Sequence, residues 1–317
     1  MRICAWSTMA SCTTAIRSSP RTTSTGSCWR NGLDNGGPPP VLCRTTGSGQ
    51  AMAVNRRVRA VRAARTLIEE WRFRRQPIVP GPTFLCVGLP SCGTTSIAHY
   101  LRSHPEVVCG RPKEIGYFNA NRHKFPDPDW YRRRFRIRDG RAPSTIRAVG
   151  EFTPTYCFPP ATDRIAAHQP QVRLIVMVRD PVRRAISQYH RYVRKGLEHR
   201  PAEEAIMNSE GNPQRGAYLQ RGRYKDVLDT LTRLFPPSQV AVIRLEDLSR
   251  DPAREMSRLQ QFLGVSIRDL GPYRAANRGT YPPAESSLIE ELADYFRPHN
   301  LALTEQHGVS LAGWIGH

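Results

Sequence analysis

The stretch from Thr83 to Ser103, TFLCVGLPSCGTTSIAHYLRS, constrains the fold more than any other part of the chain. Phe84-Leu85-Cys86-Val87 is a short apolar run of the kind that forms a buried strand, and Gly88 breaks it. Gly93-Thr94-Thr95-Ser96 then opens a helix whose apolar face carries Ile97, Tyr100 and Leu101. Strand, tight loop and helix start together make an anion cradle. The N–H groups of a first helical turn have no carbonyl partner within the helix, and the helix dipole favours negative charge beside them. The spacing Gly88-x4-Gly93 is that of the nucleotide triphosphate loop G-x-x-x-x-G-K-[ST], but Thr94 stands in the lysine slot. The loop therefore suits a phosphate other than that of ATP or GTP. The alternative reading of this stretch alone is an ordinary strand-to-helix turn.

Beyond residue 83 the pattern alternates. Strands are predicted at Thr145–Glu151, Val172–Val178 and Gln239–Leu245. Helices are predicted at Pro181–Lys195, Tyr224–Leu234, Pro252–Leu263 (closed by Gly264) and Ser287–Arg297. Proline at the start of two of these is at its favoured first-turn position. Such alternation predicts an α/β fold: a P-loop-like, three-layer arrangement with a central parallel sheet flanked by helices. Ligands in such sheets bind beyond the carboxyl ends of the strands, where the 88–93 loop falls.

Upstream, residues 1–53 are rich in Ser, Thr, Gly and Pro and lack periodicity, so a disordered segment is expected. A targeting peptide is the alternative, since five arginines stand against the single Asp34, but no apolar run follows them. Translation from a start such as Met52 is another. Residues 54–82 read as a basic amphipathic helix plus linker. Eight arginines in 55–76 alternate with Val58, Val61, Leu67, Ile68 and Trp71, which fits either packing on the domain or peripheral contact with an acidic surface. Residues 83–317 form the expected main domain.

The net charge of +20 points to anionic ligands without saying which. No recognisable nucleic-acid motif is present, and no apolar run is long enough to span a membrane. The eight cysteines form no C-x-x-C pair, so reduced thiols in a cytoplasmic protein are expected, and no His, Cys or Asp cluster has metal-ligand spacing. His99 and His104 read as structural or exposed.

A second anion site is predicted at Val178-Arg179-Asp180-Pro181, immediately after the strongest strand. Arg179 at that strand's carboxyl end, with Ser187 two turns into the next helix, can clamp a phosphate, and Arg183 and Arg184 extend the positive field. A structural Arg179–Asp180 arrangement with a solvated arginine face is the alternative. Two anion sites at neighbouring strand ends suit a nucleotide carrying both a 5′ and a 3′ phosphate.

At this point the chain resembles a known family. Phe84–Ser96, Leu174–Tyr189, Gly222–Asp247 and Arg278-Gly279-Thr280-Tyr281-Pro282 are similar to motifs of sulfotransferases that use 3′-phosphoadenosine 5′-phosphosulfate (PAPS). Lys113–Asn119, Asp129-Trp130-Tyr131 and Gly150–Tyr156 resemble the heparan-sulfate-type branch, which acts on carbohydrate. The resemblance spans roughly residues 83–300.

It implies that Pro90, Ser91, Cys92, Gly93, Thr94, Thr95 and Ser96 bind the 5′-phosphosulfate end. Arg179 and Ser187 would bind the 3′-phosphate, and Arg278 and Gly279 would close over it. Glu114 matches the family's catalytic base. The reaction would be in-line transfer of a sulfuryl group from PAPS, as co-substrate, to a hydroxyl or amine of a small-molecule or carbohydrate acceptor, without a metal. The chain departs from the family at Ser91, where lysine is usual, and Arg111 or Lys113 is the expected substitute charge. Gly116 replaces a larger polar residue. Two other readings stay open: a nucleotide- or polyanion-binding protein weakened in catalysis by Ser91, and a kinase in which Asp180 would hold magnesium. The loops at 111–145 and 195–222 are expected to shape the acceptor cleft, the first made basic by Arg122, His123, Lys124, Arg132, Arg133 and Arg134.

Overall fold

The computed structural model describes residues 71, 75–119, 127–137, 140–209, 217–272 and 283–316. The expectations for residues 1–53, for most of the basic helix, for Arg122, His123 and Lys124, and for Arg278 and Gly279 lie outside the described residues.

Five strands form one sheet: β1 (Phe84–Gly88), β2 (Val107–Cys109), β3 (Ala148–Phe152), β4 (Arg173–Val178) and β5 (Val240–Arg244). Their order is β2-β3-β1-β4-β5, and every pairing is parallel. The α/β expectation with a central parallel sheet and flanking helices holds. Parallel strands are covered on both faces, which is why β1 reads as a continuous apolar run and why Leu174–Val178 is wholly inaccessible to solvent. Each such side chain contributes about 1.5–3 kcal/mol by burial.

The helices are α1 (Thr94–Ser103), α2 (Pro128–Arg132), α3 (Ala161–His168), α4 (Pro181–Arg194), α5 (Ala202–Met207), α6 (Tyr224–Leu234), α7 (Leu245–Arg250), α8 (Pro252–Leu263) and α9 (Ser286–His307). α8 shows why such bounds are readable. The Asp251 carboxylate accepts from the Arg254 N–H at 3.1 Å, Pro252 occupies the first turn, and Gly264 ends the helix at φ 71°.

Two predicted bounds need correction, and one strand lies outside the predicted set. β3 starts at Ala148 because Pro143–Thr145 closes a 3-10 turn instead of extending the strand. β2, only three residues long, had no periodicity to announce it. α9 does not stop at Arg297 but runs through Pro298 to His307. Proline forfeits one backbone bond there. Leu288, Leu292, Phe296, Asn300 and Leu303 nevertheless recur on one buried stripe, and that burial carries the helix past it.

The strand order sets the site. β1 and β4 are direct neighbours, with Leu85 opposite Leu174 and Cys86 opposite Ile175, so the loops at their carboxyl ends meet. The register slips between Cys86 and Gly88, where the chain leaves the sheet. A Cβ on Gly88 would lie 2.7 Å from Cys157 Sγ, so only glycine lets the loop after β3 approach this closely.

Candidate active site

The cradle forms as expected. Leu89 N–H donates to the Met177 carbonyl at 2.8 Å, tying the start of the loop to β4. Gly93 caps α1 at φ 90°, a backbone conformation that disfavours any side chain, and Ser91 sits at φ 68°. The Ser96 and Ile97 amides turn back to the Gly93 carbonyl. The Gly93, Thr94 and Thr95 amides have no acceptor among the described residues and face outward from the helix start.

Not every cradle side chain can serve a ligand. Cys92 is fully buried, its Sγ 3.8 Å from both the Pro90 carbonyl and Tyr224 Oη. Burial pushes its thiol up to about 11, so only its backbone is available to the loop. Ser96 is also buried.

Arg179 lies where the neighbouring strands predict. Its Nη1 reaches the Ser91 carbonyl at 3.5 Å, and its own carbonyl accepts from Tyr224 Oη at 2.6 Å. Ser187 is half-buried on α4. Asp180 is wholly buried and caps α4, accepting from the amides of Val182 (2.9 Å) and Arg183 (3.2 Å). Its second oxygen accepts from Ile315 N–H at 2.9 Å. With its oxygens committed to amides, Asp180 is a structural cap rather than the magnesium ligand a kinase would need.

Arg184 requires a correction. It does not extend a solvated face but is fully buried, donating to Gln188 Oε1 at 2.8 Å and to the Tyr218 carbonyl. Burial lowers its tendency to hold a proton. Arg179, Arg184 and Arg221 form no ion pair with a carboxylate among the described residues, and Arg179 and Arg221 both oppose the charge on Arg184. A buried cation without a counter-ion is costly, and a bound anion would offset that cost.

Lys113 arrives from the loop after β2. Its Nζ donates to Thr94 Oγ1 at 3.4 Å and to Glu114 Oε1 at 3.0 Å. A cation at a helix N-terminus opposes the dipole unless an anion lies between them. Lys113, one of the two expected substitutes, stands beside the loop that lacks a lysine at Ser91. Arg111 is fixed through its backbone, whose N–H donates to the Arg134 carbonyl at 3.1 Å. Glu114 is 58% exposed. Among the arginines expected to make the acceptor side basic, Arg132 pairs with Asp129 at 3.1 Å and Arg133 with Asp127 at 3.7 Å, so their charge is partly neutralised. Arg134 stacks on Trp130, its guanidinium carbon 4.0 Å from the ring centroid. His104 is structural: Nε2 lies 2.9 Å from the Ser266 carbonyl and Nδ1 accepts from Glu106 N–H.

Two contributors escaped the sequence reading. Tyr224, at the first position of α6, supports both the loop and Arg179 through its hydroxyl. Glu151, wholly buried in β3, collects donors from three segments. The first was signalled only by its place at a helix start, and the second only by a charge inside a strand.

Comparison with known proteins agrees with this geometry. The sulfotransferase domain family matches residues 82–276, more than half the chain. The chain belongs to the sulfotransferase domain family. Among curated sulfotransferases, it is 30% identical to heparan sulfate glucosamine 3-O-sulfotransferase 6 of Homo sapiens, over 74% of this chain and 73% of that protein. It is 24% identical to the membrane-associated sulfotransferase kil1 of Dictyostelium discoideum, over 69% of this chain and 64% of kil1. The chain thus spans just under two thirds of the length of several sulfotransferases it resembles, kil1 and the Mus musculus 3-O-sulfotransferase 3A1 among them. A solved sulfotransferase from Alicyclobacillus acidocaldarius superposes with a TM-score of 0.63 at 29% identity, covering 74% of this chain and 99% of that one.

Proposed function

We propose that this sulfotransferase moves a sulfuryl group from PAPS to a hydroxyl or amine of an acceptor, with carbohydrate as the favoured class. The reading is carried by the convergence of three cationic or dipolar elements on one loop. These are the free amides at the start of α1, Lys113 at Thr94, and Arg179 at Ser91. The residues fit the donor: amides and Lys113 for the 5′ end, and Arg179 with Ser187 for the 3′-phosphate. The similarity to 3-O-sulfotransferases supports the acceptor class.

In the proposed reaction the acceptor oxygen or nitrogen forms a bond to sulfur as the bond from sulfur to the 5′-phosphate oxygen breaks. Glu114 takes the acceptor proton. Lys113 and the α1 amides stabilise the charge that develops on the departing phosphate oxygen, and act at no reorganisation cost because the fold already holds them there. Ser91 adds a hydroxyl but no charge. The weakened-enzyme reading survives if Lys113 fails to replace the missing lysine. The four described cysteines are free and buried, which supports reduced thiols and the proposed cytoplasmic setting.

Calorimetric titration with 3′-phosphoadenosine 5′-phosphate (PAP) tests the donor site. Wild type is expected to bind, and Arg179→Ala to lose most of the affinity. A folded wild type that binds no PAP would overturn the proposal.

A further inference from the structure

We propose that Glu151 is a positioning residue: it holds the Lys113–Glu114 loop over the cradle by terminating the hydrogen bonds of that loop's backbone. Its carboxylate lies in β3, fully buried. Oε2 accepts from Ile115 N–H at 3.1 Å and from Thr153 Oγ1 at 2.8 Å. Oε1 accepts from Tyr131 Oη at 2.6 Å and from Tyr156 Oη at 2.9 Å. Two of these hydroxyls pass the connection on. Thr153 Oγ1 accepts from Gly116 N–H, and Tyr156 Oη accepts from Phe118 N–H, both at 3.3 Å. The amides of residues 115, 116 and 118 are therefore all tied to one carboxylate, one directly and two through a single hydroxyl. Phe152 N–H donates to the Lys113 carbonyl at 3.3 Å, fixing the other end of the same loop to β3.

The polarity of the network is uniform. Four donors meet the roughly four lone-pair positions a carboxylate offers, and every chain ends on it. Burial raises this carboxyl's affinity for a proton, and the four donors oppose that tendency. A fully buried carboxylate persists only when its donors are complete, and an apolar side chain would fill the same place in a core more cheaply. Its service is geometric. Glu114 is more than half exposed and among the described residues its side chain hydrogen-bonds only to Lys113, so its position depends chiefly on the backbone that carries it. Stacking of Tyr117 on Tyr131, with ring centroids 4.2 Å apart, completes the anchor. A misplacement of about 1 Å at reacting groups costs on the order of 100-fold in rate.

The kinetic part of this inference rests on the proposed roles of Lys113 and Glu114, and the structural part does not. The test is Glu151→Gln, which keeps the shape but sets an amide NH2 against two donors. Backbone hydrogen exchange is measured at residues 115–118 and at β1, with PAP affinity, thermal stability, and kcat and KM for PAPS using a heparan sulfate oligosaccharide as acceptor. Exchange at 115, 116 and 118 is expected to rise at least tenfold while β1 stays protected. PAP affinity should fall far less than kcat, since Gly93–Ser96 and Arg179 lie outside the network and only Lys113 rides on the loop, and kcat should fall 10- to 100-fold. Unchanged protection at 115–118 would overturn the inference. So would an equal loss of protection and PAP affinity across the whole domain, which marks a merely structural residue. If wild type transfers no sulfuryl group, the functional proposal fails while the exchange result still decides this one. Should Glu151→Gln not fold, Tyr156→Phe and Thr153→Val each cut one branch. They are expected to release Phe118 and Gly116, respectively, and no release in either would refute the network.

Discussion

Replacing Lys113 with methionine isolates the charge that this chain sets beside its lysine-free loop. The structure argues that the change is nearly neutral for folding. The Lys113–Glu114 pair, with Glu114 58% exposed, contributes roughly 0–1 kcal/mol. Removing a cation from the start of α1 returns about 0.3–1 kcal/mol, because that charge opposes the helix dipole. The two nearly cancel, and the melting temperature should move by no more than about 2–4 °C. Catalysis should respond very differently. Loss of one donor aimed at developing charge costs about 10²–10³ in kcat, or ~2.7–4 kcal/mol. The assay is steady-state sulfuryl transfer from PAPS, with differential scanning fluorimetry on the same samples. Adding Ser91→Lys to Lys113→Met should recover most of the rate, since it places a charge in the same cradle. Two results would refute the reasoning: a Lys113→Met enzyme within threefold of wild type, or one whose activity falls only in step with its stability.

Three further expectations can be checked together. Gly93→Ala forces a side chain into φ 90° and puts its Cβ 2.7 Å from Leu245 Cδ1, so a loss of at least about 1–2 kcal/mol is expected, read as a melting shift of several degrees. Asp180→Ala strips acceptors from three amides at about 1–3 kcal/mol each, and both stability and PAP affinity should fall in calorimetry. Glu198, held by Arg200 and by the amides of His199 and Arg200, has its carboxyl lowered to about 2. A depressed acid stabilises the fold above its unfolded value and loses that contribution as pH falls through its folded value. Acid unfolding between about pH 4.5 and 2 should therefore be shallower in Glu198→Gln, by roughly 1–3 kcal/mol across that window.

The parts of the fold legible in the sequence are those whose signals are local. β4 is apolar on both faces, α8 carries its own cap, proline and terminal glycine, and the 88–96 loop lies between a strand and a helix it specifies itself. Arg179 was placed correctly because it follows β4 directly, and only the adjacency of β1 and β4 was needed to bring it to the loop. What escaped depends on distant partners. Glu151 meets Ile115 and Tyr131 across 36 and 20 residues of chain, so its place inside a strand marks it as unusual while nothing near it in sequence names the groups it serves. Arg184 looks like one more arginine on a basic helix until α4 turns that face towards Tyr218. α9 outruns Pro298 because its buried stripe outweighs one missing backbone bond, a balance that local rules do not weigh.

The latch between Ile315 and Asp180 joins the far end of the chain to the root of the cradle. Trp314, 3% exposed, packs edge-on against Tyr224 with ring centroids 5.8 Å apart, and Tyr224 in turn holds Arg179. Donor affinity should thus be sensitive to what is done at a place far from it in sequence. Clipping the chain after Gly313 would strip one donor from the Asp180 carboxylate and loosen Tyr224 at one stroke. A nucleotide bound at Arg179 should protect the tail from carboxypeptidase digestion, turning the last few residues into a reporter of occupancy.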